Sequence, residues 1–313
     1  CLNCHIILVI FTTKLSRVAV CGGTHGNELS GVYLVRELLR TGGGAAAAAG
    51  EGGPEVLTVM SNPRAVQQCR RYVETDLNRC FTHAILNGPP SENAPYEITR
   101  SRELNALLGP KGSPEAADLV CDLHNTTANM GLCLIAYSDC DWICLQIFRH
   151  LQASARRPSH VKSFHPISVL AAMEIGPQPH GVVRSNVFTA MKLGVRHTLD
   201  WVGMFNSGKD SCVEVYTMVR NIDYPRDKET HSITAAIHPQ LQDRDFCLLR
   251  PGDPLFQTFS GETLRYKGGE PLYPFFINEC AYYEKGIAVS LARKTHVMVP
   301  AIRCFHIFTL SKK

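Results

Sequence analysis

The sequence has no dense block of lysine or arginine, and its net charge is only +4. That mild excess leaves no electrostatic footprint for nucleic acid. It also has no apolar run long enough to cross a bilayer. Ile6 to Phe11 is apolar but far shorter than the roughly 20 residues a membrane helix needs. The same segment lacks a basic leader region and a clear small-residue cleavage site. This argues against a signal peptide and for an edge strand or an ill-fitting leader. An initiating methionine is missing too; the chain starts at Cys1, as a fragment would. Nor is there a regular cysteine framework. The thirteen cysteines are odd in number and scattered, the pattern of reduced thiols in a cytoplasmic protein rather than of a disulfide scaffold. What remains is ordinary globular material: 313 residues, 45% hydrophobic and 19% charged, enough for one large core or two domains.

The chain is organised around residues 18–31. Val18 to Cys21 reads as a buried strand, broken by Gly22 and Gly23, and Val32 to Leu39 follows with helical periodicity. His25 and Glu28 lie between, at the mouth of the helix, where open α/β sheets bind ligands. Imidazole nitrogen and carboxylate oxygen suit zinc, and a catalytic zinc takes three protein ligands and keeps one position open. A bare H-x-x-E recurs by chance, so a loop histidine beside a first-turn acid is the competing reading.

Thr41 to Pro54 is almost entirely Gly and Ala, a flexible insertion. Glu55 to Met60 reads as the second strand. The polar stretch 69–79 then packs Arg70, Arg71, Asp76, Asn78 and Arg79 together. Arg71 and Arg79 offer fixed charge for a carboxylate or an oxyanion, and Asn78 a neutral donor; a solvated loop with internal Arg–Asp pairs is the alternative. Residues 96–108 predict an amphipathic helix closed by Gly109-Pro110. The apolar strand from Ala117 carries Asp122 and His124 on one face, because strand side chains alternate. His124 is a candidate third metal ligand and Asp122 a carboxylate to orient an imidazole. Leu132 to Tyr137 predicts a strand and Trp142 to Leu151 a helix, while residues 153–165 read as basic and irregular. Glu174 then sits inside an apolar run that ends at Gly176-Pro177. Such a carboxylate is paired, neutral or beside a metal, and is a candidate general base.

The helical pattern stops after Phe205, and short strands between turn signals suggest a small β-rich domain. This divides the chain into a catalytic domain, 1–208 with its insertion at 41–54, and a C-terminal domain, 209–313. His238, Asp243 and Asp245 read as a polar turn in preference to a second metal site.

Taken together, GGTHGNELSGVYL, CRRYVETDLNR, CDLHNTTANMG, MEIGPQPHGV and NECAYYEKG resemble the aspartoacylase and aminoacylase III family. The likeness runs from about Arg17 to about Pro300 in the family's motif order. The HPQLQDRDF, GETLRY and YYEKG runs are closer to aminoacylase III. The resemblance implies an α/β, zinc carboxypeptidase-like mixed sheet flanked by helices, with a smaller β-rich C-terminal domain closing the active-site channel. It implies one Zn²⁺ per chain on His25, Glu28 and His124. It makes Glu174 the general base and Arg71 the group that polarises the carbonyl. Asn78 and Arg79 bind the substrate carboxylate, Tyr282 reaches the channel, and Asp76 orients the arginines. The implied reaction is hydrolysis of a small N-acyl amino acid by a homo-oligomer, on N-acetylated aromatic amino acids or S-substituted N-acetylcysteines.

Two departures bear on this expectation. The segment before Glu174 is about a dozen residues short by motif spacing. With it goes the tyrosine and arginine that grip the side chain in aspartoacylases; Arg157, Lys162, Phe164 and His165 do not replace them. That argues against N-acetylaspartate as substrate and threatens the strand that delivers Glu174. The Gly/Ala tract and the start at Cys1 also differ from the family. A carboxypeptidase-type peptidase and a zinc-binding pseudoenzyme or interaction protein are the remaining readings.

Overall fold

The computed structural model describes residues 14–41, 54–89, 91–110, 113–136, 142–154, 160–163, 170–206 and 213–297. The apolar segment at 6–11, the Gly/Ala tract between Thr41 and Pro54, the residues Arg157, Phe164 and His165, and the division at 208 lie outside them.

In chain order the elements are β1 (Arg17–Gly22), α1 (Leu29–Arg40), β2 (Glu55–Met60), α2 (Pro63–Gln68), α3 (His83–Asn87), α4 (Tyr96–Leu107), β3 (Leu119–Asn125), β4 (Gly131–Ala136), α5 (Trp142–Ser154), β5 (His160–Ser163), β6 (Leu170–Gly176), α6 (Ser185–Phe205), β7 (Val213–Ile222), β8 (Ala235–Ile237), β9 (Pro254–Thr258), β10 (Thr263–Arg265), β11 (Tyr273–Phe275) and β12 (Val289–Val297). Short 3-10 helices span Leu77–Arg79 and Cys280–Lys285.

Nine strands form one mixed sheet in the order β11-β12-β7-β5-β4-β6-β3-β1-β2. Strands β2, β1, β3 and β6 are mutually parallel; β4 runs against β6. The chain leaves β1 for β2 on one side and returns to β3 on the other, a topological switch point, where α/β sheets open a crevice at their carboxyl ends. The β1 sequence explains its central place. Val18 and Val20 face a core built with Leu34, Phe148, Met191 and Trp201 from α1, α5 and α6. Ala19 and Cys21 point the other way, onto Leu77, Cys80 and Leu104. A parallel strand covered on both faces reads as a continuous apolar run for this reason.

The mixed sheet flanked by helices is the expected fold class, with two differences in detail. The stretch read as irregular contains β5, which pairs in parallel with both β4 and β7; long-range pairing outweighs weak local preference. And α4 is not amphipathic in the expected sense, because its buried residues include Glu97 and Ser101 beside Leu104. The strand thought to be at risk is intact: β6 pairs with β3 on one side and β4 on the other. Beyond residue 213, β7, β11 and β12 extend the large sheet, while β8, β9 and β10 form a small antiparallel sheet with its own core around Tyr224, Phe256 and Leu291. Among the described residues no helix is long and apolar enough to cross a membrane.

Candidate active site

The carboxyl ends of β1, β3 and β6 lie side by side, and each delivers a polar side chain. The turn after β1 is set by glycine. Gly23 has φ +73°, and a Cβ on Gly26 would fall 2.0 Å from the Ala65 carbonyl carbon. The loop therefore lies flat on α2, and the Gly26 amide donates to the Arg71 carbonyl at 3.3 Å. This presents His25 and Glu28, each 3% exposed, to His124 at the end of β3.

His25 Nδ1 is 2.6 Å from Glu28 Oε1, and His124 Nδ1 is 2.9 Å from Glu28 Oε2. The far nitrogen of each ring has its own carboxylate: His25 Nε2 meets Asp76 Oδ1 at 3.2 Å, and His124 Nε2 meets Asp122 Oδ2 at 2.8 Å. Thr24 Oγ1 in turn donates to Asp122 Oδ1 at 2.7 Å. Both imidazoles thus present Nδ1 inward with Nε2–H held from behind, the arrangement that orients metal-ligating histidines. His25, Glu28 and His124 can hold a metal ion, since one donor atom from each lies within 4.8 Å of the others. Charge supports the fit. Burial opposes ionisation of Glu28, yet His25 and His124 hold its carboxyl well below the usual range. Burial likewise opposes a charged His124, yet Asp122 and Glu28 raise it well above an ordinary histidine. The group is built to surround a positive charge.

Glu174 stands beside this group, since it pairs in register with His124 across β3 and β6. It lines the cavity and so keeps some exposure, but burial still pushes its carboxyl up to about 8. Arg71 donates to Glu28 Oε1 at 3.3 Å and to Asp76 Oδ2 at 3.4 Å. Asp76 also caps the Leu77–Arg79 turn through the Asn78 amide at 3.0 Å. Of these groups His25, Glu28, Arg71, His124 and Glu174 line one cavity of about 360 Å³, together with Asn78, Arg79 and Tyr282. Arg79 and Lys285 have no carboxylate within salt-bridge distance among the described residues. Ile135, Ala172, Met218, Phe276 and Ile287 supply its apolar wall.

Several participants are not evident from the sequence reading. Glu97 is fully buried and accepts from the Val73, Glu74 and Thr75 amides at 2.6, 3.1 and 3.1 Å, which pins the arginine loop. Glu279 accepts from Thr126 Oγ1, and from the Thr127 amide at 2.8 Å, which docks the turn carrying Tyr282 and Lys285 onto the loop after His124. Asn125, Gln178 and Glu279 stand inside the motifs already quoted, so their motif company was the available signal. Glu97 stands in the first turn of α4, where an acid is ordinary, and gives no such signal. His238 accepts from the Gln240 amide at 3.2 Å, as a turn histidine does.

Comparison with known proteins places this geometry. The family model described as Succinylglutamate desuccinylase/Aspartoacylase catalytic domain matches residues 14–202. The chain belongs to this family. An AstE/AspA barrel-sandwich hybrid domain matches residues 211–294. The chain is 52% identical to an N-acyl-aromatic-L-amino acid amidohydrolase (carboxylate-forming) of Danio rerio, over 94% of both chains. It is 40% identical to the aspartoacylase of Rattus norvegicus, over 92% of this chain and 96% of the relative. The crystal structure of murine aminoacylase 3 superposes with a TM-score of 0.87 at 41% identity, covering 93% of this chain and 99% of that one.

Proposed function

We propose that this chain is a zinc-dependent amidohydrolase that cleaves N-acyl amino acids to a carboxylate and a free amino acid, with preference for N-acetylated aromatic residues or S-substituted N-acetylcysteines. The observation that carries the reading is the content of one cavity: a His–Glu–His donor group, a carboxylate of raised pKa, arginine and lysine side chains and an apolar wall. The names of the relatives at 52% and 41% identity support the same reaction.

In this reading His25, Glu28 and His124 hold Zn²⁺. Bound there, the ion supplies a Lewis acid for the amide carbonyl and lowers the pKa of water to about 7. Glu174 takes one proton from the attacking water and returns it to the leaving nitrogen, so that the C–N bond breaks to a neutral amine. A carboxyl whose hold on a proton is strengthened by burial suits carrying that proton to the leaving nitrogen. Arg71 donates to the developing oxyanion, the electrostatic contribution that is often largest in such reactions. Asn78 and Arg79 hold the substrate carboxylate and so fix the scissile bond relative to Glu174. Tyr282 closes the cavity above them, with its ring edge-on to Phe276 at 4.9 Å. Asp76 and Asp122 keep the imidazoles and Arg71 oriented.

The apolar wall favours an aromatic or thioether side chain over aspartate. Among the described residues the cations lining the cavity are Arg71, Arg79 and Lys285, and Lys285 is depressed by burial and then by those two arginines. They cluster together, and the wall of Ile135, Met218 and Phe276 brings no partner for a second carboxylate. The proposal also includes a division into two domains near residue 208, a cytoplasmic location and a homo-oligomer. The two family matches on either side of 208 support the first, and free thiols such as Cys21, Cys69 and Cys247 support the second. Amine release from N-acetyl-L-tyrosine, S-benzyl-N-acetylcysteine and N-acetyl-L-aspartate by zinc-quantified protein tests the function. Turnover of the first two is expected. Preference for N-acetylaspartate would refute the side-chain assignment, and no turnover of any would favour a pseudoenzyme.

A further inference from the structure

Helix α1 starts in an unusual way. Glu28 occupies its N-cap position, yet its side chain makes no capping hydrogen bond. An N-cap side chain ordinarily accepts from the second or third helical amide, because the first amides of a helix lack intrahelical partners. Both Glu28 oxygens are instead turned to His25 and His124. The second helical amide, Ser30 N–H, is fully buried and needs an acceptor. It finds one 95 residues away: it donates to Asn125 Oδ1 at 3.0 Å. Asparagine is among the best capping residues, and here it caps from another strand.

Asn125 does a second thing at once. Its backbone amide donates to Glu28 Oε2 at 3.0 Å, so the residue that takes over the cap also holds the displaced carboxylate. The side-chain amide is fixed from two directions. Gln178 Nε2 donates to Asn125 Oδ1 at 2.8 Å, and Asn125 Nδ2 donates to the Ile175 carbonyl at 3.3 Å. Gln178 is itself satisfied, accepting from Ser30 Oγ at 2.9 Å and from the Arg184 amide at 3.2 Å. Ser30, Asn125 and Gln178 are all buried, so no water competes for these bonds.

We propose that Asn125, locked by Gln178, is a positioning residue that caps α1 in place of Glu28 and so reserves the Glu28 carboxylate for the metal. The inference rests on the reading of His25, Glu28 and His124 as metal ligands. Without the Asn125 acceptor, the ordinary cap for Ser30 N–H is the N-cap residue Glu28 itself, and a carboxylate turned to its own helix is lost to the metal.

The test is the Zn²⁺ dissociation constant of the full chain, measured by chelator competition, with far-UV circular dichroism of the metal-free protein to confirm folding. Asn125→Ala should weaken binding by about 10-fold or more, within the range found for outer partners of metal ligands. Asn125→Asp keeps the acceptor and should stay within about 3-fold of wild type on that scale. In a Glu28→Gln background, Asn125→Ala should add nothing, because its effect passes through Glu28. Equal affinity of folded Asn125→Ala and wild type overturns the inference, as does equal weakening by Ala and Asp or an undiminished effect in the Glu28→Gln background. Should Asn125→Ala not fold, Gln178→Ala decides: it should weaken binding, and wild-type affinity overturns the proposal. Wild type that binds no zinc would instead refute the metal reading.

Discussion

At the residue scale, the proposed chemistry concentrates on Glu174. Its backbone pairs with His124, and burial brings its carboxyl to about 8. Glu174→Gln keeps the shape but cannot accept a proton. Initial rates with a zinc-quantified sample should show kcat lowered by about 10²- to 10⁴-fold, the usual worth of a general acid–base group. Zinc content should be unchanged. A second residue makes a pH prediction away from the site. Asp245 accepts from the Ile277 amide at 3.2 Å, while its Oδ2 is buried without a partner. Burial raises its carboxyl to about 7, far above the unfolded value near 4. A group raised on folding contributes stability that is full below the unfolded pKa and is lost as pH rises through the folded one. Its contribution should therefore fall between about pH 4 and pH 7. Asp245→Asn keeps the acceptor and should flatten that part of the Tm–pH curve and raise Tm at pH 8, as read by calorimetry.

At the scale of elements, what positions the site divides into legible and illegible parts. The strands and the helix around His25, Glu28, His124 and Glu174 were legible because local periodicity and glycine placement set them. The β5 pairing was not, since its partners are β4 and β7. Neither was the support of the arginine loop. Glu97 belongs to α4, and only the fold shows that it meets the Val73, Glu74 and Thr75 amides. The ligand set and the general base were assigned by resemblance; the residues alone left them open, because no periodicity relates loops 100 residues apart. Two substitutions probe these elements. Gly26→Ala drives a Cβ to 2.0 Å from Ala65 and should destabilise by about 1–3 kcal/mol or more. Denaturant unfolding, together with loss of zinc, is the check. Glu97→Ala strips the loop amides of a charged acceptor worth roughly 1.5–3 kcal/mol per bond at most. Because that loop carries Arg71, Asn78 and Arg79, KM should rise more than kcat falls in steady-state kinetics.

At the scale of the whole molecule, the cavity is closed by sequence-distant parts. The family's catalytic match supplies His25 to Glu174, and the turn Cys280–Lys285 brings Tyr282 and Lys285 across it, clamped by Glu279. A metal held by three buried side chains should stabilise the fold by linkage, about 2.7 kcal/mol at 100 times its Kd. Chelation should therefore lower Tm, and added Zn²⁺ should restore it, as followed by differential scanning fluorimetry. The most direct single measurement is the rate of amine release from N-acetyl-L-tyrosine by zinc-loaded wild type beside zinc-loaded Glu174→Gln. The expected result is robust turnover by the first and a loss of at least about 10²-fold in the second. Turnover that survives Glu174→Gln undiminished, or none in folded, zinc-loaded wild type, would contradict the assignment of this cavity as an N-acyl amino acid amidohydrolase site.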